Sequence, residues 1–519
     1  MSVIQCTILN DEIPIKFAKE ELNKYAGQVQ HPITYSFVLG LEEDFIRKGL
    51  IDQSTLEGGT DAFQLLEKES EIYVIGSNPR SVLFGIYHAC KKLFGYKWVS
   101  FISDENIEWK GFGAPEIKSG KMKRRGLVVE NYDDTTFLLQ LIDWAAKHKI
   151  NELFFTIMLW DKVKHTVADE IKKRGLTITL GGHSMHYLIK DISHSKSKQV
   201  DFTDDGWKSL MISKIKGYCE ETDSIKRLSL WPADIGIKDN QDFLTHYIEF
   251  IEQIHKHIPD IQVEHIAYNA GLSWEMLELQ DESASSKTVD TLYAFWGRNY
   301  NQSFKKEDRA YKAFQKWCDS TKANQRQLAV FEYYSDHFMF GDLFPPLFHR
   351  IREDMELYSG MGIEHIVNLI VPYFPKENPM EMDDQYPWKL MQLMNSYFFA
   401  RLAWGDPYEV VEEDFYSIFE NHQTEVKQAL NKLEGLLSEV SKWNVPLFPS
   451  RLIDPEKVEM HDDFHLIIKD IKQWKSDIDP LKLNDVNEIT DPYSLVAFYI
   501  NYISEKLGEY LCKWEEKAD

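Results

Sequence analysis

Two carboxylates follow apolar runs that are typical of buried strands. Asp234 comes after "KRLSLWP" (226–232), where Pro232 prevents the strand from continuing, and Glu332 lies inside "RQLAVFEYY" (326–334), although strand interiors disfavour glutamate. A carboxyl group beside an apolar run is poorly solvated, and this raises its pKa toward the range that suits a general acid. The pattern predicts a catalytic pair, Asp234 and Glu332. The alternative for each is an ordinary salt-bridged or helix-capping acid.

Further polar and aromatic residues follow the other predicted strands. Carboxylates combined with aromatic rings and amides suit glycoside hydrolysis, in which an acid protonates the leaving oxygen and a second group acts on the other side of the anomeric carbon. Asp336 also follows the seventh strand. The residues predicted to bind substrate are Glu130, His183, His186, Trp231, Asn269, Trp296, Arg298, Asn299, Tyr333 and Tyr373. For each tryptophan, core packing is the alternative to stacking on a sugar.

Other chemistries remain open. Arg298 could hold a substrate carboxylate bidentately, as an α-glucuronidase-like exo-hydrolase would require. His183 and His186 in "GGHSMH" have a weak metal-ligand spacing without a further ligand, so we predict no metal site and no cofactor. A non-catalytic carbohydrate-binding protein on the same scaffold is a further hypothesis, because a fold does not determine a function.

The elements that must position these residues alternate regularly from residue 121 onward. Eight apolar strand-like segments are separated by helix-length segments over about 250 residues, which is typical of a (β/α)8 TIM barrel. In that fold the active site lies at the C-terminal ends of the strands. The alternative is a doubly wound open sheet, but the sequence has no glycine-rich turn after a first strand to support it. The predicted strands are "RRGLVVEN", "NELFFTIMLW", "LTITLGG", "KRLSLW", "IQVEHIAYN", "TLYAFWGRN", "RQLAVFEYY" and "IEHIVNLIVPYF".

Three domains are predicted in the α/β chain. Residues 1–118 alternate short strands and helices as in a small α/β domain, with "YKWVS" (96–100) as a late strand and the Gly- and Pro-rich segment from 111 to 121 as a linker. Residues 119–385 form the catalytic barrel. Residues 386–519 have apolar residues at helical spacing and form a C-terminal helical domain.

Composition limits the partners. The chain of 519 residues carries a net charge of -24, which repels phosphate backbones and anionic lipids, so we expect no nucleic-acid or membrane partner. The N-terminus shows no secretory pattern, and the five cysteines are scattered, which favours free thiols in a reducing cytoplasm. We expect a carbohydrate substrate and possible homo-oligomerisation. The amphipathic C-terminal helices could pack on their own barrel or on a second subunit.

Several segments resemble known carbohydrate-active families. "GSNPRSVLFGIYHACKKLFGYKWVS" resembles the end of the small N-terminal domain shared by α-glucuronidases and family 20 hexosaminidases, and "KMKRRGLVVEN" resembles their entry into the barrel. "GLTITLGGHSMHYLI", "LSLWPAD", the segment 331–370 and "YFFARLAWGDPYEVVEEDFYSIF" resemble the domain-of-unknown-function family that includes glycoside hydrolase family 163.

That resemblance implies a glycosidase that acts on a small oligosaccharide or glycoside of the β-N-acetylhexosaminide type by carboxylate acid/base catalysis, since family 163 includes endo-β-N-acetylglucosaminidases. It matches Asp234 with the acid after the fourth strand and Glu332 with the acid of the seventh. The chain departs from family 20, which places adjacent Asp and Glu residues after the fourth strand, because Ala233 and Ile235 flank Asp234.

Overall fold

The computed structural model describes most of the chain. The described residues are 4–29, 35–101, 104, 107–130, 132–190, 200–233, 242–269, 274–279, 285–336, 345–371, 388–440, 469, 473 and 491–518. Among them, no helix combines the length and the apolar character that a membrane span requires.

The N-terminal part contains a five-stranded mixed sheet in the order β1-β2-β4-β3-β5. Its strands are β1 (Cys6–Ile8), β2 (Ser36–Leu41), β3 (Phe63–Lys68), β4 (Glu71–Gly76) and β5 (Glu116–Lys118). The helices of this part are α1 (Ile13–Ala26), α2 (Glu42–Arg47) and α3 (Pro79–Ala89), followed by a π-helix (Cys90–Phe94). Helix α3 starts at Pro79 because the Asn78 side chain accepts a hydrogen bond from the Ser81 backbone N–H.

Two local predictions in this part are wrong. Residues 96–100 form no strand, and Trp98 has φ of 50°, a left-handed conformation that interrupts an extended ladder. The last strand of the sheet is instead β5, which lies inside the segment predicted as a linker. The aromatic residues of 96–100 pack against each other instead of alternating along a strand, since the rings of Tyr96 and Trp98 stack with centroids 5.1 Å apart.

Eight parallel strands close into a barrel, which confirms the predicted TIM-barrel fold. They are β6 (Arg124–Val129), β7 (Glu152–Thr156), β8 (Thr177–Gly182), β9 (Ile225–Leu230), β10 (Gln262–Tyr268), β11 (Asp290–Ala294), β12 (Leu328–Asp336) and β13 (His365–Val371). Closure comes from the pairing of β13 with β6, where Ile366 is opposite Arg125.

Helices surround the barrel and continue beyond it. The helices of the barrel region are α4 (Thr135–Lys147), α5 (Ile157–Lys173), α6 (Met185–Ile189), α7 (Lys208–Cys219), α8 (Phe243–His257), α9 (Asp308–Ala323) and α10 (Phe348–Gly360). The C-terminal helices are α11 (Trp388–Trp404), α12 (Tyr408–Ser417), α13 (Gln423–Val440) and α14 (Pro492–Ala518). The domain boundaries at 118 and 385 stay predictions.

Strand β7 is shorter than its sequence predicts. The Thr156 side chain accepts a hydrogen bond from the Leu159 backbone N–H, which caps α5 and ends the strand. Trp160 therefore lies in a helix, and its indole N–H donates to Glu221 at 2.7 Å.

The barrel interior is filled by side chains. Near the N-terminal ends of the strands, Arg124 Nη1 lies 2.6 Å from Glu264 Oε2 and Arg124 Nη2 lies 2.7 Å from Glu152 Oε1. Burial raises the pKa of Glu264, but the guanidinium groups of Arg124 and Arg227 outweigh it and bring the pKa below its usual value. This ionic layer fills the barrel interior near the N-terminal ends of the strands.

Candidate active site

The direction of each side chain on β12 follows from contacts with strands that are not its neighbours. The ring of Phe331 lies 5.5 Å from that of Trp231, which follows β9, and β9 does not pair with β12. Phe331 therefore points into the barrel. Tyr333 stacks on Phe331 at 4.6 Å and points the same way, as the two-residue period of a strand requires.

Tyr333 interacts electrostatically with carboxylates and a tyrosine at the C-terminal ends of several strands. Burial raises the pKa of Tyr333 well above its usual value, and the nearby Tyr268, Asp336 and Glu130 raise it further. Glu130 crosses the barrel interior, because its Oε1 lies 3.7 Å from the place a Cβ would take at Gly182, at the end of the non-adjacent strand β8. We call the C-terminal end of the barrel interior the mouth. The mouth cluster consists of Glu130, Tyr268, Trp296, Tyr333 and Asp336.

Asp336 is tied to the wall of the mouth. The Trp296 indole N–H donates to Asp336 Oδ2 at 3.0 Å, and the carboxylate is 1% exposed. Trp296 is in turn held by Asn269, whose side chain donates to the Trp296 carbonyl oxygen and accepts from the Trp296 backbone N–H, both at 2.8 Å. Asn269 thus extends the pairing of β10 and β11 and positions Trp296.

Trp231 and His183 form the floor of the mouth. Trp231 is 2% exposed, its ring contacts Phe154 at 5.1 Å, and its indole N–H donates to Ser229 Oγ at 2.9 Å. The His183 ring meets Trp231 edge-on at 5.1 Å, and Nδ1 donates to the Pro232 carbonyl oxygen at 2.6 Å. Trp231 is therefore mainly a core residue, whereas His183 is half-buried and lines the mouth.

Glu332, which the sequence predicts as the general acid, is turned away from the mouth. Its side chain lies between β12 and α10, where Arg298 Nη1 donates to Oε1 at 2.8 Å and the Tyr300 hydroxyl donates to Oε2 at 2.6 Å. The Tyr358 hydroxyl also donates to Oε1. Burial raises the pKa of Glu332, while Arg298 opposes the rise. A substrate in the mouth cannot reach a carboxylate on the outer face of the strand.

Arg298, which the sequence predicts to bind substrate, also lies among buried partners. It is 3% exposed, and its second terminal nitrogen, Nη2, donates to Asp354 Oδ1 at 2.7 Å. The guanidinium group thus pairs with two carboxylates, Glu332 and Asp354, inside the helix layer. To bind a glucuronide carboxylate bidentately, as the sequence suggested, Arg298 would have to break its hydrogen bonds to both Glu332 and Asp354.

The remaining predicted residues divide into three groups. The Asn299 side chain accepts from the Asn301 backbone N–H at 2.9 Å, so it stabilises its own loop. His186 is exposed on α6, and the described part of the chain contains no group of three or more metal-ligating residues that includes it or His183. Asp234 and Tyr373 lie outside the described residues.

Asp336 is the mouth carboxylate that sequence reasoning passed over in favour of Glu332. Both residues follow or end the same apolar strand, and simple alternation places residues 332 and 336 on the same face. The register between β12 and β13 breaks this alternation. From Glu332 to Ser335 the strand β12 advances three residues, while β13 advances two, from Asn368 to Ile370. This β-bulge turns Asp336 inward.

Comparison with known proteins places the fold among glycoside hydrolases. A family GH115 4-O-methyl-α-glucuronidase with specificity for decorated arabinogalactans superposes with a TM-score of 0.64 at 11% identity, over 98% of this chain and 72% of that chain. A family GH138 enzyme targeting pectin rhamnogalacturonan II gives 0.63 at 12% identity, over 98% and 69%. The GH20 β-N-acetylhexosaminidase from Streptomyces coelicolor A3(2) gives 0.52 at 11% identity, over 80% and 90%.

These similarities show a glycosidase-like fold. At 11–12% identity they do not extend to activity or substrate. No protein-family model matches the chain, and no curated protein matches it. The resemblance to family 163 in particular stays a prediction.

Proposed function

We propose that the chain is a glycoside hydrolase whose active site is the mouth of the barrel. The observation that carries the proposal is the meeting of two carboxylates, Glu130 and Asp336, with the tyrosines and tryptophan of the mouth cluster at the C-terminal ends of the strands. Active sites of TIM barrels lie at this end, and most glycoside hydrolases use two carboxylates.

The two carboxylates differ in burial, and this difference supports an assignment of roles. A protonated carboxyl group avoids the free-energy cost of burying a charge, so the more buried Asp336 suits the general acid. The half-buried Glu130 suits the base or nucleophile. Tyr333 keeps its proton because its pKa is raised, so it acts as a hydrogen-bond donor to a sugar or leaving-group oxygen.

Asp234 remains a candidate for the second carboxylate. It follows β9 by four residues in the sequence and lies outside the described residues, so its role rests on the sequence alone. If the substrate carries a 2-acetamido group, Asp234 would orient that group as an internal nucleophile, an exception to the two-carboxylate scheme.

The charge of the mouth bears on the substrate class. Glu130 carries a negative charge in its proposed role as base or nucleophile, and a uronic acid would bring a second negative charge close to it. Arg298, the residue that suggested a glucuronide, is held by Glu332 and Asp354. We therefore favour a neutral or 2-acetamido sugar, and a small β-N-acetylhexosaminide is our leading substrate.

The test is turnover of aryl glycosides by the wild type and by three variants, Glu130→Gln, Asp336→Asn and Asp234→Asn. The panel contains β-N-acetylglucosaminide, β-N-acetylgalactosaminide, α-glucuronide, and α- and β-glucosides and galactosides. We expect cleavage of a β-N-acetylhexosaminide, with kcat reduced about 10²–10⁴-fold in Asp336→Asn. The control, Glu356→Gln, removes an exposed acid of α10 that pairs with Arg352, and it should keep wild-type turnover.

Equal activity of Asp336→Asn and the wild type would remove Asp336 from the reaction. Turnover of the α-glucuronide alone would reject our substrate assignment. If the wild type cleaves no glycoside but calorimetry detects saturable sugar binding that Asp336→Asn retains, the chain is a carbohydrate-binding protein on a glycosidase scaffold.

A further inference from the structure

The inward direction of Asp336 depends on contacts made behind β12. We propose that Tyr300, Glu332 and Asn368 form a clamp that holds the β-bulge open and so positions Tyr333 and Asp336 in the mouth. This positioning role rests on the proposed function, since the bulge serves catalysis only if the mouth is the active site.

The bulge leaves two backbone N–H groups of β12 without their regular strand partners, and the clamp supplies replacements. The Tyr333 backbone N–H donates to the Tyr300 hydroxyl oxygen at 3.1 Å, and the Tyr334 backbone N–H donates to Asn368 Oδ1 at 3.0 Å. A buried N–H without a partner destabilises the conformation that contains it. The two side chains therefore stabilise the bulged form over a regular strand.

Glu332 fixes the orientation of the Tyr300 hydroxyl. A hydroxyl group has one hydrogen, and Tyr300 donates it to Glu332 Oε2 at 2.6 Å. The hydroxyl oxygen is then available as the acceptor for the Tyr333 N–H. Arg298 and the Tyr358 hydroxyl hold the other oxygen, Oε1, so the carboxylate cannot turn away.

The outer side of the bulge is anchored as well. Tyr334 donates through its hydroxyl to Asp354 Oδ2 at 3.0 Å, and Ser335 Oγ lies 3.1 Å from Ser396 Oγ of α11. Two consecutive residues, 334 and 335, thus contact the helix layer, where a regular strand would alternate. The next residue, Asp336, then faces the mouth and meets Trp296.

The Trp296 indole N–H reports on this geometry without any substrate. The chain has 14 tryptophans, and selective [15N]tryptophan labelling gives one indole resonance for each. Trp296→Phe identifies the signal, and Asp336→Ala gives its position without the hydrogen bond. In Tyr300→Phe we expect the signal to move at least halfway to that position, and its exchange with solvent to become at least tenfold faster. Asn368→Leu, which removes the second acceptor, should have the same effect.

Tyr247→Phe is the matched control. The Tyr247 hydroxyl is also buried, accepts from a strand N–H (Ile266, 3.0 Å) and donates to a backbone carbonyl oxygen (Leu230, 2.7 Å), but it belongs to α8 and contacts β9 and β10. It should lower stability and leave the Trp296 signal in place. A Trp296 signal unchanged in folded Tyr300→Phe or in folded Asn368→Leu would overturn the clamp.

The wild type supplies a test that needs no variant. Hydrogen exchange at the backbone N–H groups of Tyr333 and Tyr334 should be as slow as at Val330, within about tenfold, and fast exchange would reject the clamp. The function is judged separately. A moved Trp296 signal in a chain that cleaves no glycoside would keep the clamp and reject the proposed function, whereas a static signal in an active enzyme would do the reverse.

Discussion

At the scale of single residues, Glu332 shows that a carboxylate in an apolar strand can be buried by contacts with the helix layer and not by a position in the mouth. Its burial is the property that suggested a general acid, and the same burial comes from its position behind the strand among Arg298, Tyr300 and Tyr358. A buried carboxylate needs partners wherever it lies, so a raised pKa alone does not identify a catalytic group.

The Arg298 guanidinium should be essential to stability. It is the cation between Glu332 and Asp354, so Arg298→Met leaves two buried carboxylates facing each other, and we expect a loss of about 3–5 kcal/mol in the free energy of unfolding. Because folding raises the pKa of Glu332, the stability that this group contributes falls as pH rises. The loss in the free energy of unfolding caused by Arg298→Met should therefore be larger at pH 8 than at pH 5.

Urea denaturation at the two pH values measures this effect. Arg352→Met, which removes an exposed cation four residues before Glu356, is the control and should cost less than about 1 kcal/mol. A loss of that small size for Arg298→Met would contradict the structural role assigned to the buried network.

At the scale of elements, two glycines end β8 and bring His183 to the floor of the mouth. A Cβ on Gly181 would overlap the Ser229 carbonyl oxygen of β9, and Gly182 adopts a left-handed φ of 64°. The Gly182 carbonyl oxygen then accepts from the Trp231 backbone N–H at 2.9 Å. Strands β8 and β9 can approach this closely only without a side chain at position 181.

Gly181→Ala should therefore destabilise the fold by about 3 kcal/mol or more, because the clash is with backbone and cannot be relieved by a side-chain rotation. Thermal or chemical unfolding measures this loss. Gly217→Ala is the opposite case, since Gly217 is exposed in α7 with open space around it, and it should gain about 0.5–1 kcal/mol. Similar effects of the two substitutions would show that β8 and β9 are not this close.

At the scale of the whole molecule, histidines are fully or partly buried in both the N-terminal part and the barrel region. Burial lowers the pKa of His88 and of His265 to about 4, and it lowers those of His148 and His365 as well. As pH falls from about 6.5 to about 4, the unfolded chain binds protons at these histidines, whereas the folded protein does not.

Stability should consequently fall as pH decreases from about 6.5 to about 4, by roughly 3 kcal/mol for His265 alone. Free energies of unfolding between pH 5 and 7 should show a smaller slope in His265→Gln than in the wild type. The exposed His257→Gln is the control and should keep the wild-type slope. An unchanged slope in His265→Gln would mean that folding does not lower the pKa of His265.

The sequence alone was sufficient to predict the barrel. Parallel strands buried on both faces require near-continuous apolar runs, and helices between them require amphipathic segments, so the alternation of "LVV", "LFF" and the later runs fixes the class of fold. It also indicated which strand ends carry polar and aromatic residues, including Glu130, His183, Trp296 and Tyr333, because the ends of parallel strands share one edge.

The tertiary structure decided which of these side chains enter the mouth. Inward or outward direction depends on the register with neighbouring strands, and one extra residue in β12 relative to β13 turns Asp336 inward, whereas Glu332 faces the helices. The groups that hold this register, Tyr300, Asn368 and Ser396, come from other elements, at distances of 32 to 61 residues along the chain. A local pattern contains no record of such pairings, because they form only when the barrel closes and the helices pack against it.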